Sequence, residues 1–193
     1  GGRAATGAKI KAYNAAEVNE LPEQVKIFTD GGCEPNPGEA GSGVAVYVDN
    51  KVTELWYGLY NPMGTNNTAE LNALHQGLLL AKDEIAKGKT AAVFSDSQYA
   101  IQCIVQWAKG WEKAGWKKKT GEIKNLELIK EIYALHQTLQ NKVQVLHVNG
   151  HVGVQGNELA DRMSILAIQS RETDFALYRE PLDIPAILAT RAG

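Results

Sequence analysis

Four carboxylates, Asp30, Glu70, Asp96 and Asp161, stand where packing alone does not call for acids. Asp30 closes the apolar run Val25-Lys26-Ile27-Phe28-Thr29, and Asp96 closes a second, Ala91 to Ser95. Glu70 falls in what reads as the first turn of a helix, and Asp161 on a late helix just after a Gly-rich loop. Taken one at a time, each acid has a structural use. A strand-end Asp caps a turn or helix, and a Glu in a first helical turn complements the helix dipole. Together they point to chemistry. In an open α/β sheet, ligands bind beyond the carboxyl ends of the strands. If the strands of Asp30 and Asp96 are neighbours, about 4.8 Å apart, their carboxylates fall within several ångströms. Clustered carboxylates repel, which a fold tolerates mainly when cations bind there. An all-oxygen set suits Mg²⁺ or Mn²⁺ rather than zinc. Two such ions roughly 4 Å apart can clamp the attacking water and the leaving oxygen of a phosphodiester.

The elements that must position these acids are legible in outline. Residues 25–30 read as a buried strand, followed by the turn-rich stretch GGCEPNPGEAGSG. Two further strands, 43–50 and 52–60, meet at Val48-Asp49-Asn50-Lys51, which fits a tight hairpin turn. Leu71, Leu74, Leu78 and Ile85 recur at helical spacing within 65–87, and Gly88 is placed to stop that helix. Residues 91–95 form a short buried strand, and Ser97 caps a helix expected to run through Trp107. A second amphipathic helix spans 124–140 (Leu126, Ile129, Ile132, Leu135, Leu139). A strand at 143–148, a loop at 150–156 and a helix at 157–170 follow. A meander followed by alternating α and β predicts a mixed sheet with helices on both faces. Residues 1–23 read as a linker or tail. Residues 171–193, with Pro181 and Pro185, read as a loosely attached C-terminal extension.

Composition narrows the class. The chain has 193 residues, 44% hydrophobic and 22% charged, which suits one globular domain with modest extensions. No apolar run approaches the roughly 18 residues of a membrane span, and no signal-peptide pattern opens the chain. It does not begin with Met and reads as a piece of a longer chain, with Gly1-Gly2 as a processing scar. Cys33 and Cys103 make neither a disulfide framework nor a zinc pair, so a reducing cytoplasm is the expected setting. Net charge is −2, which argues against a general nucleic-acid binder. Its distribution argues otherwise. Between Lys109 and Lys130 seven lysines face three acids, a local balance of +4.

The segments TDGGCEPNPG (29–38), TNNTAEL (65–71), FSDSQYAI (94–101) and NGHVGVQGNELAD (149–161) occur in this order at fitting intervals. Together they resemble type 1 ribonuclease H over residues 25–170. The resemblance implies a ribonuclease H-like α/β fold: a five-stranded mixed sheet, its first three strands antiparallel, with helices on both faces. It implies a catalytic domain at 24–170. Asp30, Glu70, Asp96 and Asp161 match the family's four metal-binding carboxylates, and His151 its loop histidine, assigned to proton movement or product release. Cys33, Asn36 and Asn67 match positions that contact the RNA–DNA hybrid. The segment 107–124 resembles the basic protrusion of the bacterial enzymes. It interleaves Trp107, Trp111 and Trp116 with Lys113, Lys117, Lys118 and Lys119. The implied activity is hydrolysis of the RNA strand of a hybrid with two Mg²⁺ ions, Mn²⁺ substituting, to give 5′-phosphate and 3′-hydroxyl ends. A monomer without an obligate protein partner is expected, and no membrane association.

The loop after His151 lacks a second histidine and the basic residues some members carry, which leaves the proton route open. Three alternatives stand beside the cellular enzyme. They are a ribonuclease H domain of a reverse-transcriptase polyprotein, a transposase or resolvase core of the same fold, and an inactive hybrid-binding module. Four intact acids argue against the last.

Overall fold

The structure is a computed structural model, and it describes residues 10–150 and 153–193. Alternation along the strands builds its centre. Ile27, Val44, Val46, Ala91 and Val93 point into one apolar cluster, while Phe28, Ala45, Tyr47, Ala92 and Phe94 point into another. A strand hydrophobic at every position must bury both faces, so helices are required above and below the sheet.

Among the described residues seven strands form that sheet: β1 (Ala12–Tyr13), β2 (Val25–Glu34), β3 (Gly38–Val48), β4 (Lys51–Gly64), β5 (Ala91–Ser95), β6 (Val143–Val148) and β7 (Phe175–Leu177), in the order β1-β6-β5-β2-β3-β4-β7. The β2-β3-β4 meander is antiparallel, as expected, and β5 and β6 run parallel to β2. The hairpin between β3 and β4 turns at Asp49 and Asn50, both with positive φ (52° and 63°), as a two-residue turn matched to strand twist requires.

Two differences from the expected five strands share a cause. The expected tail supplies β1, paired with β6, and helix α1 (Ala15–Glu20), whose Asn14–Glu17 capping box is complete and whose Val18 is buried. The ammonium of Lys26 is buried beneath α1 and donates to Val18 O at 2.7 Å. At the far side β7 pairs with β4. Both additions cover open edges of the central five strands, whose unpaired amides and carbonyls would otherwise face solvent. The C-terminal segment is therefore not loosely attached.

Helix α2 (Asn66–Ala86) carries Leu71, Leu74 and Leu78 into the first cluster, each fully buried and each worth about 1.5–3 kcal/mol relative to exposure. Gly88 follows with φ 87°, where the helix stops. Helix α3 (Gln98–Gln102) does not end at Trp107. It passes through a π-helical turn (Cys103–Trp107) into α4 (Ala108–Lys113), so the first part of the basic segment is helical. Helix α5 (Leu126–Leu139) completes this face with Ile129 and Ile132, and α6 (Gln155–Ser170) covers the other with Leu159, Ala160 and Met163. Helix α7 (Ile184–Leu188) adds Ile187 to that second cluster. Among the described residues no helix is long and apolar enough to cross a membrane.

Candidate active site

Parallel pairing of β2 with β5 ends at Thr29 and Ser95. Asp30 and Asp96 are the next residues of the two chains, so the sheet itself delivers both carboxylates to one place. Asp30 does not end its strand. β2 continues against β3 as far as Glu34, because Gly31 and Gly32 sustain the antiparallel ladder after β5 has ended.

Glu70 arrives from α2, whose N-cap is Thr65. It is the fifth helical residue, one turn deeper than expected, and is therefore buried rather than placed at the helix mouth. Its Oε1 accepts the amide of Gly31 at 2.9 Å. That approach depends on Gly31. A Cβ there would lie 2.2 Å from the backbone carbon of Ala69 and 2.4 Å from the Glu70 nitrogen. Gly43 does the same for α6. A Cβ on it would lie 2.3 Å from Ala160 O, so α6 can lie against β3 and bring Asp161 to the cleft.

One oxygen from each of Asp30, Glu70 and Asp96 lies within 4.8 Å of the others. Asp161 lines the same cleft of about 340 Å³, with Cys33, Glu34, Asn66 and Gly193, but its carboxylate is engaged elsewhere. Its Oδ2 accepts from Arg162 Nη1 at 2.8 Å and from the Gly193 amide at 3.0 Å. Asp30 and Glu70 are each about 95% buried. Burial, then the charge of Asp96, then that of Asp161, holds the Asp30 carboxyl well above the usual carboxylate range. Burial and then the charge of Asp30 do the same for Glu70. Among the described residues, Asp96 Oδ1 is buried without a hydrogen-bond partner. Buried carboxylates that repel one another, one of them with an orphaned oxygen, fit a divalent cation, and an all-oxygen set suits a hard one.

This electrostatic strain carries a prediction. Without metal at neutral pH, Asp30→Asn should raise the melting temperature, by roughly 2–4 °C for a gain of about 1 kcal/mol. Because the folded-state pKa values of Asp30 and Glu70 are raised, the folded chain holds protons that the unfolded chain has already released. Stability is therefore lost as pH climbs from the ordinary carboxylate value, about 4, through the raised values. The advantage of the amide should fade as pH falls toward 4, and added Mg²⁺ should narrow it by stabilising only the wild-type site. Melts of the two proteins in EDTA and in Mg²⁺ read the effect. A lower melting temperature for the variant in both buffers would make Asp30 a structural acid.

A second cleft, about 490 Å³, opens beside the first and shares Asn66 with it. Here Asn36, Asn67, Trp107, Trp111 and Lys118 come together. The Asn36 side chain also accepts the Asn66 amide at 3.1 Å. Thr65, Tyr99, Lys124 and Asn125 line it too. None of these four was expected from the sequence as a site residue. Asn125 reaches it by a left-handed backbone (φ 60°) that lets its side chain bond Thr68 and Tyr99, a conformation for which Asn is among the commonest non-glycine choices. The other residues of the basic segment divide. Trp116 packs on Tyr133 beneath Lys130, so it is half core. Lys113, Lys117 and Lys119 are exposed and line neither cleft. His151 lies outside the described residues.

Known proteins resemble this chain over most of its length. The family model described as RNase H matches residues 22–169. A ribonuclease H of Thermosynechococcus vestitus is 41% identical over 137 residues, which cover 70% of this chain and 82% of the relative. One from Methylorubrum extorquens is 34% identical over 145 residues, 75% of this chain, and the match spans 60% of the length of that relative. Among solved structures, LC11-RNase H1 in complex with an RNA/DNA hybrid superposes with a TM-score of 0.54 at 24% identity, covering 76% of this chain and 98% of that one. At that identity the likeness speaks for the fold alone.

Proposed function

The chain belongs to the ribonuclease H family of enzymes, in its bacterial type 1 form, and we propose that it cleaves the RNA strand of RNA–DNA hybrids as a monomer. The observation that carries this reading is the convergence of Asp30, Glu70 and Asp96 within 4.8 Å at the end of the parallel strands, with Asp96 Oδ1 unpartnered. Asp161 lines the same cleft and is assigned as the fourth acid. Two Mg²⁺ ions held there, or Mn²⁺ in their place, would neutralise charge on the attacked phosphate and the departing oxygen.

The remaining work belongs to the chain. Hydrolysis adds water at phosphorus and breaks the bond to the 3′ oxygen, leaving 5′-phosphate and 3′-hydroxyl ends. His151 is assigned the movement of protons during this exchange. RNA differs from DNA by its 2′-hydroxyl. Cys33, Asn36 and Asn67 flank the acids and are assigned to reading that group and the adjacent backbone. Lys113, Lys117, Lys118 and Lys119, with Trp107, Trp111 and Trp116 as their platform, are assigned to the phosphates of the duplex. Such contacts carry no sequence preference. Residues 24–170 are taken as the catalytic domain, with segments at either side that close the edges of its sheet.

The test is direct. Labelled hybrid, double-stranded RNA and double-stranded DNA are incubated with Mg²⁺, Mn²⁺ or EDTA. Only the RNA of the hybrid should be cut, only with metal, and with the stated ends. The affinity for hybrid should fall with salt at a slope near 0.9 per phosphate contacted. Binding without cleavage in either metal would make the chain a hybrid-binding module instead.

A further inference from the structure

The C-terminal segment does more than cover an edge. After β7 the chain forms α7, fixed by Asp183, which accepts the Ala186 amide, and by buried Ile187. Beyond α7 the backbone returns to the acidic cleft, which Gly193 lines, and Arg162 holds it on the way. Nη2 of Arg162 donates to Leu188 O at 3.1 Å and Nε to Thr190 O at 3.2 Å, while Nη1 donates to Asp161 Oδ2 at 2.8 Å. One guanidinium thus joins the segment to the fourth acid. Two contacts close the arrangement. Arg191 pairs with Glu34, at the end of β2, at 2.6 Å. The Gly193 amide donates to the same Asp161 Oδ2 at 3.0 Å. A Cβ on Gly193 would stand 2.7 Å from Asp161 Oδ1, so the backbone lies directly on the carboxylate.

Asp30, Glu70 and Asp96 converge, and Asp161, whose Oδ2 already accepts two donors, is not part of that group. The segment is also unevenly held. Its α7 end is anchored in the core. Its far end is held by the Gly193 amide on Asp161 and by a pair of side chains 68% and 72% exposed, the latter a weak contact that salt screens.

We propose that residues 191–193 form an autoinhibitory latch that folds over the acidic cleft, engages Asp161 and stands in the path of metal and hybrid. The proposal rests on the reading of Asp161 as a metal ligand. Release of Arg191 from Glu34 and of Gly193 from Asp161 removes one of the two donors on Asp161 Oδ2 and opens the cleft, with Arg162 and α7 left in place and the hinge at Thr190. A closed state of this kind taxes apparent affinity by the fraction of molecules that are open.

The test compares the full chain with a chain ending at Thr190, and with Arg191→Ala. Mn²⁺ binding without nucleic acid is measured by calorimetry. Hybrid binding is measured by fluorescence anisotropy in Ca²⁺ or EDTA, and cleavage by steady-state kinetics. The shortened chain should bind Mn²⁺ and hybrid roughly three- to tenfold more tightly, as expected if about 10–30% of the molecules that carry residues 191–193 are open. KM should fall in step, and Arg191→Ala should show part of the effect. Unchanged affinities would overturn the latch. Weaker hybrid binding would overturn it as well, by making Arg191 a phosphate contact. If the shortened chain melts too early to measure, Arg191→Ala alone decides by the same readings. Absence of cleavage by every protein would strike the ribonuclease reading, while the Mn²⁺ titration would still report on the latch.

Discussion

Asp96→Asn is expected to lower kcat by at least about a thousandfold, a barrier increase of about 4 kcal/mol. Asn keeps the shape of the side chain and removes the charge that faces Asp30 and Glu70. The effect should be large because Asp96 is the acid whose buried oxygen has no hydrogen-bond partner among the described residues, the atom with most to offer a cation. Binding of the hybrid in EDTA should stay within about twofold, since the basic segment and the second cleft are untouched. Single-turnover cleavage and anisotropy on the same preparation separate the two effects. A variant that cuts within about tenfold of wild type, only about 1.4 kcal/mol of barrier, would remove Asp96 from the proposed metal site.

Gly31→Ala is expected to cost about 3 kcal/mol of stability, at the upper end of what overpacking costs. For a chain of this length that corresponds to roughly 6–12 °C in melting temperature. The added methyl would meet the backbone of Ala69 and Glu70 at 2.2–2.4 Å, and backbone cannot swing aside as a flexible side chain does. α2 must then retreat from β2, which breaks the bond from the Gly31 amide to Glu70 Oε1 and withdraws one acid from the cluster. Activity should therefore fall even at temperatures where the variant is folded. The neighbouring Gly32→Ala is the control. Its Cβ would meet only Ser164 Oγ, at 3.4 Å, an ordinary contact, and stability should change by less than about 1 kcal/mol. Thermal melts of the two variants in parallel are sufficient. Equal losses at both positions would show that the approach of α2 to Gly31 is not the cause, since the entropy change of Gly→Ala favours the folded state.

Much of this molecule is written locally. Leu71, Leu74 and Leu78 specify α2 because a 3.6-residue period can bury one stripe only in a helix. Asp49-Asn50 specifies its hairpin because those residues tolerate positive φ. The order of TDGGC, TNN, SDS and GNELAD pointed to the family, since those residues keep their spacing only around one arrangement of strands and helices. What sequence could not supply depends on partners distant along the chain. β1 and β7 are two and three residues long, too short for a period to register, and they exist because the central sheet leaves edges to pair. β2 runs on past Asp30 through two glycines, which have no strand preference of their own, because β3 lies opposite to receive their hydrogen bonds. Glu70 sits one turn deeper than its motif implied because Thr65 caps α2 fully and Gly31 admits its buried side. Arg162 neighbours Asp161 in sequence, but the rotation of α6 and the return of the C-terminal segment decide that one guanidinium holds both. Periodicity and turn chemistry act over a few residues and are legible there. Edge pairing, close approach and the engagement of a charge are settled only when segments as far apart as Glu34 and Arg191 meet.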